Sequence, residues 1–161
     1  MIELHFLRHA DAGDPMAWTG DDAERPLSDK GRKQADRLGR FLAGLGFAPD
    51  AIITSPKIRA AQTAEIVAGH LGVTVAVDDR LAGALDGGTL DGLLGDAIDP
   101  ARPMVVGHDP DFSDLLAELC GASSLLMRKG ALARVDIERP LRAGTGTLRW
   151  LVPPDLLKPG R

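Results

Sequence analysis

The chain opens with MIELHFLRHA (residues 1–10), a short apolar run that ends in the cationic pair Arg8-His9. Its length and its apolar residues predict a β-strand from Met1 to Leu7. It has no cationic leader and no apolar run of about 18 residues, so we expect neither a secretion signal nor a membrane span. Where the strand ends, Arg8 and His9 present a guanidinium and an imidazole, groups that bind anions and exchange protons.

Short apolar runs separated by helix-like segments recur along the rest of the chain. The strands beyond the first are expected to be parallel where helices separate them, and the last two, which follow each other closely, to be antiparallel. The predicted fold class is therefore α/β: a three-layer α/β/α sandwich with a mostly parallel central sheet, in a single domain that spans residues 1–161. These further strands are predicted at residues 51–54, 73–77, 103–106, 132–137 and 147–152.

Three amphipathic helices are predicted between these strands. Ser28 is a favourable N-cap for the first, which is expected to end near the glycines at 44 and 46. Ser55-Pro56 and Asp109-Pro110 have the residue types of an N-cap followed by a first helical residue, and they predict where the other two helices start.

Glycine and aspartate are frequent from Asp78 to Arg102. This composition predicts a loop over the sheet edge, with one short helix-like piece at residues 89–94. The glycines are not followed by the Gly-Lys-Ser/Thr ending of a phosphate-binding loop, so we expect no nucleotide cradle there.

The overall charge limits the classes of partner. At pH 7 the net charge is −4, from 19 basic and 23 acidic residues spread along the chain. Without a basic run we expect no nucleic-acid binding and no binding to anionic membranes. The single cysteine, Cys120, excludes an intrachain disulfide and fits a reducing cytoplasm. Nothing in the sequence requires more than a monomer.

Three segments with polar residues each follow a predicted strand, and they carry four side chains that suit one chemistry: Arg8, His9, Arg59 and His108. Because the carboxyl ends of parallel strands line one crevice, we expect these four groups to meet at one rim. Guanidinium groups bind phosphate oxygens and stay charged, and a neutral imidazole is a nucleophile near pH 7. The set therefore suits phosphoryl transfer, with one imidazole as the nucleophile and the second as a hydrogen-bond donor to the phosphate oxygens.

The order of the motifs resembles that of a known family. Arg-His follows the first strand, Ser-Pro-x-x-Arg-Ala-x-Gln-Thr-Ala runs from Ser55 to Ala64, and Gly-His occupies residues 107–108. Together with Arg25-Pro-Leu-Ser28 and the closing residues 150–157, they resemble the histidine phosphatase superfamily, which has the phosphoglycerate-mutase-like fold. Within it the chain is similar to the small bacterial phosphohistidine phosphatases of the SixA type. Its short length fits this type, since larger relatives carry an inserted lid.

This resemblance implies a role for each of the four residues. His9 corresponds to the nucleophile, Arg8 and Arg59 to the residues that bind the phosphoryl group, and His108 to the residue that completes the pocket. The resemblance also implies that no metal and no other cofactor takes part. The substrate it implies is a phosphohistidine-bearing protein of a phosphorelay or phosphotransfer system.

The sequence departs from the family pattern at two places. Residue 10 is alanine where the first motif usually has glycine. Many relatives also have a glutamate general acid in the mid-chain loop, and no residue here matches it; Asp86 and Asp11 are the nearest candidates. The nitrogen leaving group of phosphohistidine is partly protonated near neutral pH, so the missing acid favours phosphohistidine over phosphate esters.

Other polar residues have simpler interpretations. His5 in the first strand and His70 near the end of the second helix are expected to be structural, since neither has the spacing of a metal ligand. Trp18 is expected to anchor its loop. Arg25 either contacts substrate beside the pocket or pairs with a surface carboxylate, and the role of Ser28 beyond helix capping is open.

Two alternatives stay open on the sequence alone. One is a phosphatase of small phosphate esters, such as a sugar phosphate or a nucleotide. The other is a non-catalytic module that binds phosphorylated partners. The complete set of Arg8, His9, Arg59 and His108 argues against this second alternative, because a module without activity is free to lose its nucleophile.

Overall fold

The computed structural model describes residues 1–159, in which a six-stranded sheet is covered by helices. The strands are β1 (Ile2–Arg8), β2 (Ala51–Thr54), β3 (Val75–Val77), β4 (Pro103–Gly107), β5 (Leu132–Ile137) and β6 (Thr147–Val152). The α-helices are α1 (Asp29–Gly44), α2 (Ile58–Leu71), α3 (Gly87–Asp96) and α4 (Asp111–Cys120). Short 3₁₀ turns lie at Pro15–Ala17, Asp22–Glu24, Asp79–Ala82 and Pro154–Leu157.

The sheet has the strand order β3-β2-β4-β1-β5-β6. Strands β1 to β4 are parallel to one another, whereas β5 is antiparallel to both β1 and β6. The predicted mostly parallel sheet with two antiparallel closing strands is confirmed. The helices of residues 1–159 are all too short, or too polar, to span a lipid bilayer.

Two apolar layers cover the sheet, because alternate residues of a strand point to opposite faces. Leu4 and Phe6 of β1 pack with the leucines of α3 and α4 on one face. Leu7 packs with Leu38 of α1 and Val67 of α2 on the other face. Each fully buried side chain of this size contributes about 1.5–3 kcal/mol to folding. The predicted three-layer arrangement follows from these two clusters.

The predicted starts of two helices are wrong, by two residues for α2 and by one for α4. Helix α2 begins at Ile58 without a side-chain cap, and α4 begins at Asp111 with Pro110 at its N-cap position. Ser55 lies two residues before the N-cap position of α2, which Lys57 occupies, and its hydroxyl is hydrogen-bonded to His108, which is far away in the sequence. Asp109 does bond the first turn of α4, since its Oδ1 accepts from the Ser113 N–H at 3.1 Å.

The prediction of a loop over residues 78–102 is also wrong in part. This stretch contains the ten-residue helix α3, which extends beyond the expected piece at 89–94. Glycine costs about 1 kcal/mol per residue in a helix, which hides the signal. Leu90, Leu93 and Leu94 are almost completely buried and hold the helix against the sheet.

Candidate active site

The carboxyl ends of β1, β2 and β4 meet at one edge of the sheet. Strand β4 lies between the other two, and the His9 N–H donates to the Gly107 carbonyl at 3.0 Å. On the other side of β4, the Ser55 N–H donates to the Val106 carbonyl, also at 3.0 Å. The ring centroids of His9 and His108 are consequently 5.3 Å apart. Two of the predicted residues, 99 positions apart in the sequence, therefore face each other in the fold.

The His9 ring is held in one tautomer. Its Nδ1 lies 2.7 Å from the Ala10 carbonyl oxygen, which can only accept, so Nδ1 carries the proton and Nε2 has a free electron pair. Burial lowers the pKa of His9 to about 4; the Ala10 hydrogen bond opposes this, and the nearby charges of Arg59 and Arg8 add to it. At neutral pH the imidazole is therefore uncharged, as a nucleophile requires.

Alanine replaces glycine at position 10 without strain. The φ angle of Ala10 is not among the positive values, and its N–H donates to the Thr63 hydroxyl at 3.1 Å. Thr63 in turn donates to the Arg59 carbonyl at 2.7 Å, so the segment after β1 is joined to α2. The departure from the family motif leaves the backbone of the first motif intact.

His108 is positioned by Ser55. Its Nε2 lies 2.8 Å from Ser55 Oγ, which also accepts a hydrogen bond from the Lys57 N–H at 3.2 Å. Burial, followed by the neighbouring His9 and Arg59, lowers the pKa of His108 to about 3. When Ser55 donates its hydroxyl hydrogen to Nε2, the ring proton is on Nδ1, a buried atom without a hydrogen-bond partner in the described residues.

Arg8 is held by the turn that leads into α4 and by the loop before β5. Its Nη1 donates to the Met127 carbonyl at 2.8 Å and lies 3.5 Å from Asp109 Oδ2. Asp109 is itself fixed by Ser113, whose hydroxyl donates to the same carboxylate at 2.6 Å. The Arg8 Nε is buried and has no partner within residues 1–159. A donor is thus left for a ligand oxygen.

Arg59 is bound to a carboxylate that the sequence did not single out. From the first turn of α2, its Nη1 and Nη2 donate to the backbone and side-chain oxygens of Asp22 at 2.8 and 3.0 Å. Arg25 Nε donates to the other carboxylate oxygen of Asp22 at 3.1 Å. Of the two interpretations of Arg25, the structure shows pairing with an exposed carboxylate, and this carboxylate also orients Arg59. Nothing in the sequence distinguishes Asp22 from Asp21 and Glu24 beside it.

Neither nearest candidate for a general acid has the environment of one. Asp86 is exposed and caps α3, and its bonds to Thr89 lower its pKa. Asp11 accepts the Ser28 hydroxyl hydrogen at 2.6 Å, and this bond is the main reason that its pKa is lowered. Both carboxyl groups are ionised near neutral pH, whereas a general acid must hold a proton.

Ser28 has a structural role at this junction. Its hydroxyl oxygen caps α1 by accepting from the Gly31 N–H at 3.1 Å, while its hydrogen goes to Asp11. A Cβ on Gly31 would lie 1.9 Å from the Asp11 carbonyl oxygen, so only glycine allows α1 to approach the first motif this closely.

The remaining histidines and Trp18 have the structural surroundings that were expected. His5 is buried, with Nδ1 3.3 Å from the Pro103 carbonyl and its ring edge-to-face with Phe47. His70 Nε2 lies 2.8 Å from Asp36 Oδ1 at the end of α2. The Trp18 indole N–H donates to the Asp21 carbonyl at 2.9 Å, which closes its loop. Among residues 1–159 there is no cluster of His, Cys, Asp or Glu suited to a metal ion.

Known proteins share both the sequence pattern and the fold. The profile of the histidine phosphatase superfamily (branch 1) matches residues 4–112. Phosphohistidine phosphatase SixA of Escherichia coli K12 is 28% identical over 164 residues, covering 98% of this chain and 97% of that protein. An uncharacterized protein of Picosynechococcus sp. is 36% identical over 119 residues, 70% of each chain.

A solved structure extends the likeness to the whole fold. The structure of the protein histidine phosphatase SixA complexed with tungstate superposes with a TM-score of 0.84 at 27% identity, and the match covers 98% of this chain and 100% of that one. The predicted phosphoglycerate-mutase-like fold is thereby confirmed, and fold and sequence together describe a SixA-like phosphatase. Because the family profile spans more than half of its length, the chain belongs to branch 1 of the histidine phosphatase superfamily.

Proposed function

We propose that the protein removes the phosphoryl group from phosphohistidine on a signalling or phosphotransfer protein, with His9 as the nucleophile. The observation that carries this proposal is the neutral, buried His9 ring, whose Nδ1–H is fixed by the Ala10 carbonyl and whose Nε2 is free. Arg8, Arg59 and His108 surround it with donors. A tetrahedral dianion next to such a nucleophile is the ligand that these groups suit best.

The first half-reaction transfers the phosphoryl group to His9. Its Nε2 electron pair attacks phosphorus in line, and the bond between phosphorus and the substrate nitrogen breaks. If the substrate ring is protonated, its histidine leaves neutral, and the positive charge passes to the His9 ring, where the Ala10 carbonyl stabilises it. No separate general acid is needed in this step, which agrees with the ionised state of Asp11 and Asp86.

Water completes the cycle. It attacks the phosphorus of phospho-His9, the phosphorus–nitrogen bond breaks, and inorganic phosphate and one proton are released while His9 returns to its neutral form. Arg8, Arg59 and the Nδ1–H of His108 hold the equatorial oxygens in both steps. Each such oriented donor contributes about 3 kcal/mol to transition-state stabilisation. The cycle uses no metal ion.

The likeness to SixA supports the choice of substrate. SixA of Escherichia coli bears the name phosphohistidine phosphatase, and its sequence aligns with this chain almost from end to end. The alternative, a phosphatase of small esters, requires an acid that protonates an alkoxide leaving group. Neither Asp11 nor Asp86 fits that role, so phosphohistidine is favoured.

Two measurements test the proposal. Purified protein is offered a phosphohistidine protein and a panel of phosphate esters, with and without EDTA. We expect turnover of phosphohistidine that EDTA does not affect; turnover of esters alone refutes the substrate. In the second measurement, brief exposure to labelled substrate and an alkaline quench should leave an acid-labile phosphoryl group on the peptide that contains His9. Label on another peptide refutes the assignment of the nucleophile.

A further inference from the structure

A cavity of about 260 Å³ adjoins the candidate active site. The two share the side chain of Arg8, so a ligand that occupies the cavity is within reach of the phosphoryl-binding group. The charged residues that line the cavity are the cations Arg8, Lys30, Arg128 and Lys129 and the carboxylates Asp11 and Asp155. We call the cavity lined by these residues the basic cavity.

The basic cavity is positive although the whole chain is negative. Its two carboxylates are already engaged: Asp11 accepts from Ser28 at 2.6 Å and lies 3.8 Å from Lys129, and Asp155 pairs with Lys158 at 3.2 Å. Within residues 1–159, Lys30 and Arg128 have no carboxylate oxygen within 4.0 Å, and both are exposed. Arg8 pairs with Asp109 and Lys129 with Asp11, which leaves the charges of Lys30 and Arg128 without a carboxylate partner in the described residues. In a chain of net charge −4, this local excess of positive charge suits an anion.

A buried amide adds a donor of fixed orientation. Gln34 is only 6% exposed, and its Oε1 accepts the Asp11 N–H at 2.9 Å. Because the oxygen must face that donor, the amide nitrogen faces away from it. This NH₂ group has no acceptor in the described part of the chain, and the side chain lines the cavity. Gln34 lies one helical turn after Lys30, so both project from the same face of α1.

Another part of the lining is hydrogen-bonded, through its backbone, to the first motif. Arg128 and Lys129 precede Gly130, whose N–H donates to the carbonyls of Arg8 and His9 at 3.1 and 2.9 Å. The segment that carries the two cations is therefore fixed relative to the backbone of the first motif.

We propose that the basic cavity binds a second anionic group of the substrate, one that lies next to the phosphoryl group. On a protein substrate this group is an acidic side chain flanking phosphohistidine. On a small substrate it is a carboxylate or a second phosphate. Lys30, Arg128 and Lys129 supply the charge, and the Gln34 amide supplies a directional donor. The inference rests on the proposed phosphatase function and adds a rule for which phosphorylated molecules are preferred.

The test uses two synthetic phosphohistidine peptides that differ only in having glutamate or glutamine on both sides of phosphohistidine. We expect wild-type kcat/KM to be about tenfold higher for the glutamate peptide, mainly through KM, and the difference to shrink as salt is raised. In the variant Lys30→Gln/Arg128→Gln the ratio between the two peptides should fall towards one. A ratio that is one in the wild type, or unchanged in this variant, overturns the proposal.

A matched control removes the same charge from a neighbouring place. Arg32 and Lys33 are exposed cations on α1 that do not line the basic cavity. In Arg32→Gln/Lys33→Gln the preference for glutamate should persist. If this control loses it equally, the overall charge and not the cavity is responsible, and the proposal fails.

A second arm separates this proposal from the proposed function. A phosphate ester that bears a carboxylate is compared with the corresponding ester that bears an amide. If the protein hydrolyses esters and no phosphohistidine peptide, the proposed substrate is wrong, yet a carboxylate preference lost in Lys30→Gln/Arg128→Gln still establishes the basic cavity. Hydrolysis of the peptides without any preference overturns only the cavity.

Discussion

His5 and His9 lie four residues apart, the first within β1 and the second directly after it. Both are buried, and burial lowers the pKa of both. Each has Nδ1 close to a backbone carbonyl oxygen, of Pro103 at 3.3 Å for His5 and of Ala10 at 2.7 Å for His9. Residue type, burial and hydrogen bonding therefore do not distinguish a structural histidine from a candidate nucleophile.

The neighbours of the two rings make the difference. His5 contacts the rings of Phe47 and Trp150, with centroids 4.8 and 5.7 Å away, and lines an apolar cavity of about 390 Å³. The His9 ring faces His108, and the charges of Arg59 and Arg8 are close enough to lower its pKa. A neutral imidazole packed among aromatic rings stabilises the fold. The same group surrounded by cations lies where those cations attract a dianion.

The sharpest contrast is expected from His9→Gln. Glutamine keeps a polar side chain but has no nucleophilic nitrogen, so turnover should fall by about 10⁴-fold or more. The free energy of unfolding should change by about 1 kcal/mol or less, because the ring serves the site and not the core. Steady-state kinetics and urea unfolding of the same preparation measure both quantities. Retained turnover would remove His9 from its proposed role.

The pH dependence of stability is the next largest effect. Since the folded pKa of His9 is about 4 and an unfolded histidine has about 6.5, the unfolded state binds more protons between these values. Protonation of His9 therefore does not reduce the free energy of unfolding above about pH 6.5, and reduces it progressively as the pH falls towards 4. The free energy of unfolding of His9→Gln should fall by about 3 kcal/mol less over this pH interval than that of the wild type. Parallel urea titrations at pH 7 and pH 4.5 provide the test; equal losses would contradict the buried, neutral state of the ring.

The same experiment on His5 should give the opposite pattern. His5→Ala removes a buried ring from its contacts with Phe47 and Trp150 and should lower the free energy of unfolding by about 2 kcal/mol. Turnover per folded molecule should stay within about twofold of the wild type. Urea unfolding and kinetics at a temperature where the variant is fully folded check this. A large loss of turnover without a loss of stability would show that the two histidines are not so different.

The fold, and the sheet edge at which the four candidate residues lie, were predictable because their signals are local. An apolar run followed by Arg8-His9 identifies both a strand and the point where it ends, and Gly107-His108 does the same for β4. Strand order then brings the ends together. In contrast, α3 was hidden because buried leucines, and not helix propensity, stabilise its glycine-rich sequence.

The partners of the site residues were not predictable, because each contact joins distant positions. Asp22 binds Arg59 across 37 residues, and Ser55 binds His108 across 53. The Ser55-Pro56 pair even has the pattern of a helix cap, which led to the wrong start of α2. Ser55 Oγ accepts from the Lys57 N–H and also contacts His108, and the sequence shows only the local pattern.

The smallest predicted effect concerns Ser55. The His9 ring faces His108, and the Ser55 hydroxyl contacts His108 and can set its tautomer. Ser55 Oγ accepts from the Lys57 N–H and lies 2.8 Å from His108 Nε2, so its own hydrogen is free to be donated to Nε2. We expect Ser55→Ala to lower kcat about tenfold with little change in KM. Without the hydroxyl, His108 populates both tautomers, and only one of them has the Nδ1–H that donates to the transferring phosphoryl group.

Ring nitrogen chemical shifts of labelled His108 test this directly. The wild type should show a protonated Nδ1 at neutral pH, and Ser55→Ala should show both tautomers. Ser55→Thr keeps the hydroxyl and should restore both the wild-type tautomer and most of kcat, which a loss of packing alone would not explain. A wild-type spectrum with the proton on Nε2 would mean that His108 donates to Ser55, in which case Ser55 fixes the ring without making it a donor to the phosphoryl group.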